Sequence, residues 1–385
     1  MSAGPQALSL SFIRREAVPA APPPVLVSGP LAWARANLFS GPGNTLLTLL
    51  ALAILALAVP PLARFLVIDA VFTGANRDAC RPDVVGHPVG ACWAFVAQKI
   101  NYFVYGSYPI EERWRANVFF GLAAVGIGWL LWLDAPRRGL GALYVFVIFP
   151  LAGYALLAGV PALGLAKVPT ALWGGMLVTL VVSLVGIVAS LPLGILLALG
   201  RRSQLPLVRL VCVIFIEFWR GVPLITVLFM ANVMLPLFLP GDVTVDRLMR
   251  PLVGIALFSA AYMAEIVRGG LQAIPRGQTE GAASLGLSYW QSMRLVVLPQ
   301  ALRIVIPGIV NSFIALFKDT TLVSIVGIFD FIRTIESARV DPNWAAPTVV
   351  TTGYAFAALF YFVFCFGMSR YALYVERRLA AGQRR

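Results

Sequence analysis

Apolar residues run along this chain in long blocks rather than in alternation. Eight blocks stand out, at 44–63, 116–133, 140–159, 172–199, 221–239, 251–268, 301–326 and 349–369. A helix needs about 20 apolar residues to cross the hydrocarbon core of a bilayer. A spanning segment must also satisfy its own backbone N–H and C=O groups, so each block predicts a helix. The expected fold is therefore an all-α polytopic membrane protein of about eight transmembrane helices. The pattern leaves a polar tail at 1–40 containing Pro22-Pro23-Pro24, which reads as largely disordered, and a short tail at 376–385. It also leaves two long polar interruptions, at 67–115 and 269–300.

Composition agrees with the pattern. The 385 residues are 59% hydrophobic and 12% charged, whereas a soluble domain carries about 25% charged residues. That excludes a disordered chain, a disulfide scaffold and a simple soluble enzyme. The net charge of +13 does not indicate nucleic acid, because the basic residues sit singly or in twos beside apolar blocks. Membrane lipid is the medium they flank, and they set orientation. The short loops Ala135-Pro136-Arg137-Arg138 and Arg201-Arg202 belong on the cytoplasmic side, which puts both termini inside and 67–115 outside.

Several chemistries are missing. The residues before the three lysines are Gln98, Ala166 and Phe317, so there is no Gly-Lys pair to cradle phosphates. With a single histidine, His87, no metal site and no catalytic triad is expected. No cofactor is expected in this chain, and any ATP would be bound by a partner. Four cysteines show no CxxC spacing. Cys80 and Cys92 share the outside loop, where an oxidising compartment permits a disulfide. Two free thiols are the other reading. Cys212 and Cys365 read as packing residues.

The most informative interruption is 269–300. Pro275 can start a short helix, Gly286 suits a left-handed C-terminal position, and Ser288 with Gln291 forms a capping box. Pro299 should break the second helix before the next span. A compact helix–turn–helix knob follows, with Ala282, Ala283 and Ser284 making one side small. Tyr289, Met293 and Val296 fall on one face.

This segment resembles the EAA loop of ABC importer permeases. Glu280, Gly281, Ala282, Gly286, Val296, Leu298 and Pro299 stand at its positions, with Gly281 for Ala and Val296 for Ile. The stretches Glu217-Phe-Trp-Arg220-Gly221-Val222-Pro223-Leu224, Ala264-Glu265-Ile266-Val267-Arg268-Gly269-Gly270 and Lys318-Asp319-Thr320-Thr321-Leu322-Val323 are similar to three stretches of polar amino-acid permeases. The resemblance implies a type I importer core of five spans at 170–375, with the EAA loop as the ATPase-coupling element. The part at 41–169, with three spans, resembles the extension of the M subunit of general L-amino-acid uptake systems of Gram-negative bacteria. The partners implied are a cytoplasmic ABC ATPase dimer, a second homologous permease subunit, a periplasmic amino-acid-binding protein and L-amino acids. The location implied is the bacterial inner membrane.

Charges inside the blocks mark candidate pathway or interface residues. Glu265 and Arg268 lie one turn apart, as an interfacial ion pair or as a gate contact with Arg303 or a partner. Lys318 and Asp319, with Thr320 and Thr321, interrupt the block 301–326. Adjacent residues point about 100° apart on a helix, so one of the two charges should border a pathway and the other a neighbour. The segment 328–348, with Phe331, Ile332, Ile335 and Ala338 at helical spacing, reads as an amphipathic helix outside the membrane. It would either dock the binding protein or lie on the bilayer surface. Two rival functions are an ion-coupled secondary transporter, which would show repeated halves with broken helices and would not need the knob, and a membrane-embedded enzyme, which would need more polar groups within the spans.

Overall fold

The computed structural model describes residues 29–132, 134–240 and 245–381. These fall into two compact units divided between Ile68 and Asp69. The first contains α1 (Pro30–Asn37) and α2 (Pro42–Ile68), the latter apolar on all sides and with none of its side chains buried. The tail expected over 1–40 is thus helical from Pro30, and the part up to residue 28 lies outside the described residues.

The second unit holds α3 (Trp93–Tyr105), α4 (Ile110–Leu131), α5 (Arg138–Ala158), α6 (Gly175–Arg201), α7 (Pro206–Gly221), α8 (Leu224–Phe238), α9 (Met249–Ala273), α10 (Arg276–Ser284), α11 (Tyr289–Val326), α12 (Phe331–Ala338) and α13 (Val349–Ala381). The only extended pairings among the described residues are two isolated bridges, Val71 with Cys92 and Gly106 with Trp173. Among the described residues, seven helices are long and apolar enough to span a bilayer, or eight when α7 and α8 count as one bent span.

The division expected near residue 170 is not where the chain separates. The α4–α5 pair buries Phe119 and Phe149 in one apolar cluster with Leu177, Val181 and Val182 of α6, so residues 69–169 join the C-terminal helices. Of the short tail expected at 376–385, the part up to Ala381 continues α13, and residues 382–385 lie outside the described residues. At the centre, α6 packs along α9, and α9 along α11. Gly194 makes the first contact possible, because a Cβ there would lie 2.7 Å from Met263 Cβ. Small residues let membrane helices approach in this way.

Two helices depart from the expected pattern. The fifth span, expected at 221–239, is instead two limbs, α7 and α8, meeting at 102°. Pro223 has no N–H to continue the helix, and it drives Val222 to an extended φ of −108°. Pro299, expected to break a helix, lies inside one. A π turn at Met293–Val297, closed by Leu298 N–H on the Met293 carbonyl, shifts the hydrogen-bond register just before the proline. The helix therefore runs on from Tyr289 to Val326.

The loop expected outside and the segment after α11 build one cap. Cys80 and Cys92 form a disulfide, with Cα atoms 5.7 Å apart. Both are buried with Phe95, Phe103, Phe331, Ile335 and Trp344. Lys99 Nζ donates to Asp341 at 2.5 Å, and Cys92 N–H donates to Thr352 Oγ1 at 2.8 Å. Only 331–338 of the expected amphipathic segment is helical, and its apolar face is covered by α3, α6 and α13 of the same chain. It therefore offers that face neither to the bilayer nor to a docking protein.

The cap contains one carboxyl with no access to solvent. Asp330 is 0% exposed and caps α12, accepting from Ile332 N–H at 3.2 Å and Arg333 N–H at 3.0 Å. Burial, reinforced by nearby Glu336, pushes its pKa up to about 7, against the opposing pull of the capping N–H groups. The folded value lies above the unfolded one, so the folded protein binds the extra proton between the ordinary carboxylate range and about 7. The stability this provides is complete at low pH and is lost as pH rises through that window. The thermal midpoint of the purified protein should fall between pH 5 and pH 8 by about 2–4 °C, and Asp330→Asn should flatten that slope. Equal slopes for the two proteins would refute the assignment.

Candidate functional site

The bend between α7 and α8 opens a wedge against α9 and α11. It holds a cavity of about 510 Å³. Its walls are mostly apolar, with Ile255 and Phe258 on α9 and Leu316 on α11, and polar groups come from Ser259, Tyr262, Asn311 and Ser312. Arg220 and Glu265 line one part, and Asp319 and Thr320 another. Gly308 backs onto Ile266, so α9 and α11 share a level there. From Gly308 to Asp319 the helix rises about 16 Å, which makes the cavity long and gives it charge at both ends.

The end at Glu265 is an ion network drawn from three helices. Arg201 Nη1, at the end of α6, lies 2.8 Å from both Glu265 Oε1 and Glu217 Oε1. Arg268 donates to Glu265 Oε2 from Nη2 at 2.7 Å and from Nε at 3.0 Å. Arg220, at the end of α7, approaches Glu265 Oε2 at 3.5 Å and Glu217 Oε2 at 3.9 Å. Such pairing is what a carboxylate at membrane depth requires. Arg303, the alternative partner for Glu265 and Arg268, is exposed on α11.

Lys318 and Asp319 part company. Asp319 lines the cavity, while Lys318 is exposed on another face of α11. Thr320 Oγ1 donates to the Phe317 carbonyl at 2.8 Å and Thr321 Oγ1 to the Lys318 carbonyl at 3.0 Å. Both hydroxyls are therefore turned back onto the helix. The sequence uses Arg201 only to set orientation and Glu217 and Arg220 only within a motif, and gives none of them a place in the site. One signal was available: Glu217 and Arg220 repeat the one-turn spacing of Glu265 and Arg268.

The knob lies beyond the same ends of α6 and α9. Gly286 has φ +72°, a left-handed conformation that a side chain resists. The capping box forms, with Ser288 N–H donating to Gln291 Oε1 at 2.9 Å and Gln291 N–H to Ser288 Oγ at 3.4 Å. Glu280, Gly281 and Ala283 are exposed on α10, and Ala282 is buried beneath them. Leu285, Tyr289 and Trp290 project outward. The π turn carries Val297, rather than Val296, onto the buried face beside Met293. Leu298 and Pro299 open the α-helical stretch Leu298–Asp319 of α11. Arg202, next to Arg201, donates to the Leu271 carbonyl at 3.1 Å and lines a second cavity of about 340 Å³ behind the knob, with Thr279, Ala283 and Tyr289. Adjacent arginines thus reach the ion network and the back of the knob.

Residues 190–381 match the family model described as the binding-protein-dependent transport system inner membrane component. The chain is 49% identical over 353 residues to the inner membrane amino-acid ABC transporter permease protein YhdY of Escherichia coli K12, covering 92% of this chain and 94% of that one. It is 40% identical over 435 residues to the glutamate/glutamine/aspartate/asparagine transport system permease protein BztC of Rhodobacter capsulatus, covering 97% of this chain and 99% of that one. Among solved structures, an amino acid ABC transporter crystallised with histidines aligns at 30% identity over 52% of this chain and 90% of its own, with a TM-score of 0.46.

The polar and charged groups along this cavity, Asn311 and Asp319 among them, should hold water, and a thiol ionises and reacts only where water reaches it. With Cys212 and Cys365 replaced, Asn311→Cys and Asp319→Cys should react with a small charged thiol reagent at least about tenfold faster than Phe362→Cys on the exposed face of α13. Equal rates at all three positions would mean that the cavity is dry.

Proposed function

This chain belongs to the amino-acid ABC transporter permeases, and we propose that it is the membrane subunit through which L-amino acids pass from periplasm to cytoplasm, driven by ATP hydrolysed on a separate subunit. It is a multi-pass inner membrane protein. The observation that carries the reading is the joining of two features on the same helices. The cavity between α7–α8, α9 and α11 forms the route, and the knob of α10 and the start of α11 receives the ATPase. The knob offers a small-faced helix through Glu280, Gly281 and Ala283 with apolar side chains beside it, which suits insertion into a groove on a partner.

The basic loops support a cytoplasmic knob, cytoplasmic termini and a periplasmic cap. On this reading the disulfide of Cys80 and Cys92 lies on the oxidising side. The chain carries no catalytic residues of its own and binds neither nucleotide nor metal. Its partners are a pair of cytoplasmic ATPases, a second related permease subunit forming a heterodimer, and a periplasmic amino-acid-binding protein. Lys318, exposed on α11, suits the interface with that second subunit, and Asp319 suits the route. An ion-coupled transporter or an embedded enzyme would have no use for the knob.

Proteoliposomes containing the permease complex should accumulate amino acids only when the ATPase and ATP are present. Gly286→Val places a β-branched residue at positive φ, a strain of about 1–3 kcal/mol that should distort the knob and leave the spans intact. We expect the variant to insert and to lose ATP-driven uptake together with substrate-stimulated hydrolysis. Normal stimulation of hydrolysis in Gly286→Val would defeat the coupling assignment. Uptake without the ATPase would defeat the functional reading as a whole.

A further inference from the structure

The ion network at the inner part of the cavity is uneven. Glu265 is held closely by Arg201 and Arg268, at 2.8 Å and 2.7 Å. Arg220 is held loosely, with carboxylate oxygens at 3.5 Å and 3.9 Å and its guanidinium 5.9 Å from the Tyr262 ring centroid. It donates no hydrogen bond from its side chain among the described residues. A guanidinium has five N–H donors in a planar fork that fits a carboxylate. A cation with unengaged donors therefore faces the cavity beside an anion.

An α-amino acid presents the complementary arrangement, with an ammonium and a carboxylate on one carbon. Resting on amino-acid import as proposed above, we propose that Arg220 and Glu265 form a clasp for this zwitterion. The substrate carboxylate takes the fork of Arg220, and its ammonium takes the acceptor site that Arg201 leaves open on Glu265 Oε1. Geometry selects this pair over Asp319, which stands about 16 Å further along α11, too far to share one α-carbon with Arg220. Charge balance supports it as well. Three arginines face two glutamates here, and a zwitterion adds no net charge to a site where unpaired charge is costly. The side chain is left to a wall of Phe258, Ser259 and Tyr262. The clasp thus reads the part that all α-amino acids share.

The test is equilibrium binding to the purified permease complex with its ATPase and without its binding protein. The probes are L-leucine, L-glutamine and L-glutamate, each compared with its α-carboxamide and its α-hydroxy acid. In the unaltered complex both analogues should bind at least about tenfold more weakly than the parent. Arg220→Gln should bring the carboxamide-to-acid ratio to about one and leave the hydroxy-acid ratio in place. Glu265→Gln should do the reverse. A purely structural role would weaken all three ligands equally and preserve both ratios, which would overturn the clasp. Should neither variant assemble, the unaltered complex still decides, because analogues binding as tightly as the parent would also overturn it. If the unaltered complex, reconstituted with its binding protein and ATP, imports none of the three amino acids, the functional reading fails instead.

Discussion

A carboxylate at membrane depth must be paired, and the half of this molecule around Glu265 is arranged to meet that requirement. Glu265 keeps only 14% of its side chain exposed. Stripping one partner from a buried ion pair costs about 3–5 kcal/mol, so the helices that supply the partners are tied to it. Arg268 comes from the same helix, Arg201 from the end of α6 and Arg220 from the end of α7. The ends of α6 and α7 are therefore drawn onto α9. The chain leaves that junction through Gly221-Val222-Pro223, where the helix cannot continue. After the 102° turn that results, α8 packs on α9 at Gly254, and the cavity is left where Arg220 and Leu224 at the turn face α9 and α11.

Much of this was legible in the sequence, and what was missed has common causes. Apolar blocks near 20 residues gave the spans, because the bilayer imposes length directly. The capping box at Ser288 and the left-handed Gly286 were legible because both depend on residues within one turn. The limb 206–221 escaped because Arg209, Glu217 and Arg220 dilute its hydropathy, although they occupy positions on a helix whose other faces are apolar. Pro299 was read as a break because α-helical register was assumed, and a π turn leaves no composition signal.

Partners far away in sequence were the other blind spot. The spacing of Glu265 and Arg268 could be seen, but Arg201 is 64 residues distant and only folding brings it in. The face of α12 looked destined for the bilayer or a protein because its cover, α3, lies more than two hundred residues earlier. The hydrogen bond from Cys92 to Thr352, spanning 260 residues, shows how completely the outside loop is built into the segment after α11. Residues 69–108 thus belong to the same packed body as the transport helices, rather than to an appended module.

The π turn that absorbs Pro299 has a mechanical consequence. By keeping the helix continuous, it makes Tyr289–Val326 a single rod of 38 residues, about 57 Å long at the α-helical rise. One end of the rod is the knob, and its far part carries Asp319. A broken helix would have acted as a joint and absorbed a push at the knob locally. A continuous one behaves as a lever arm, so a tilt of about 5° pivoting at the knob sweeps the opposite end through about 5 Å over that length. Displacement of that size is comparable to the width of a helix backbone.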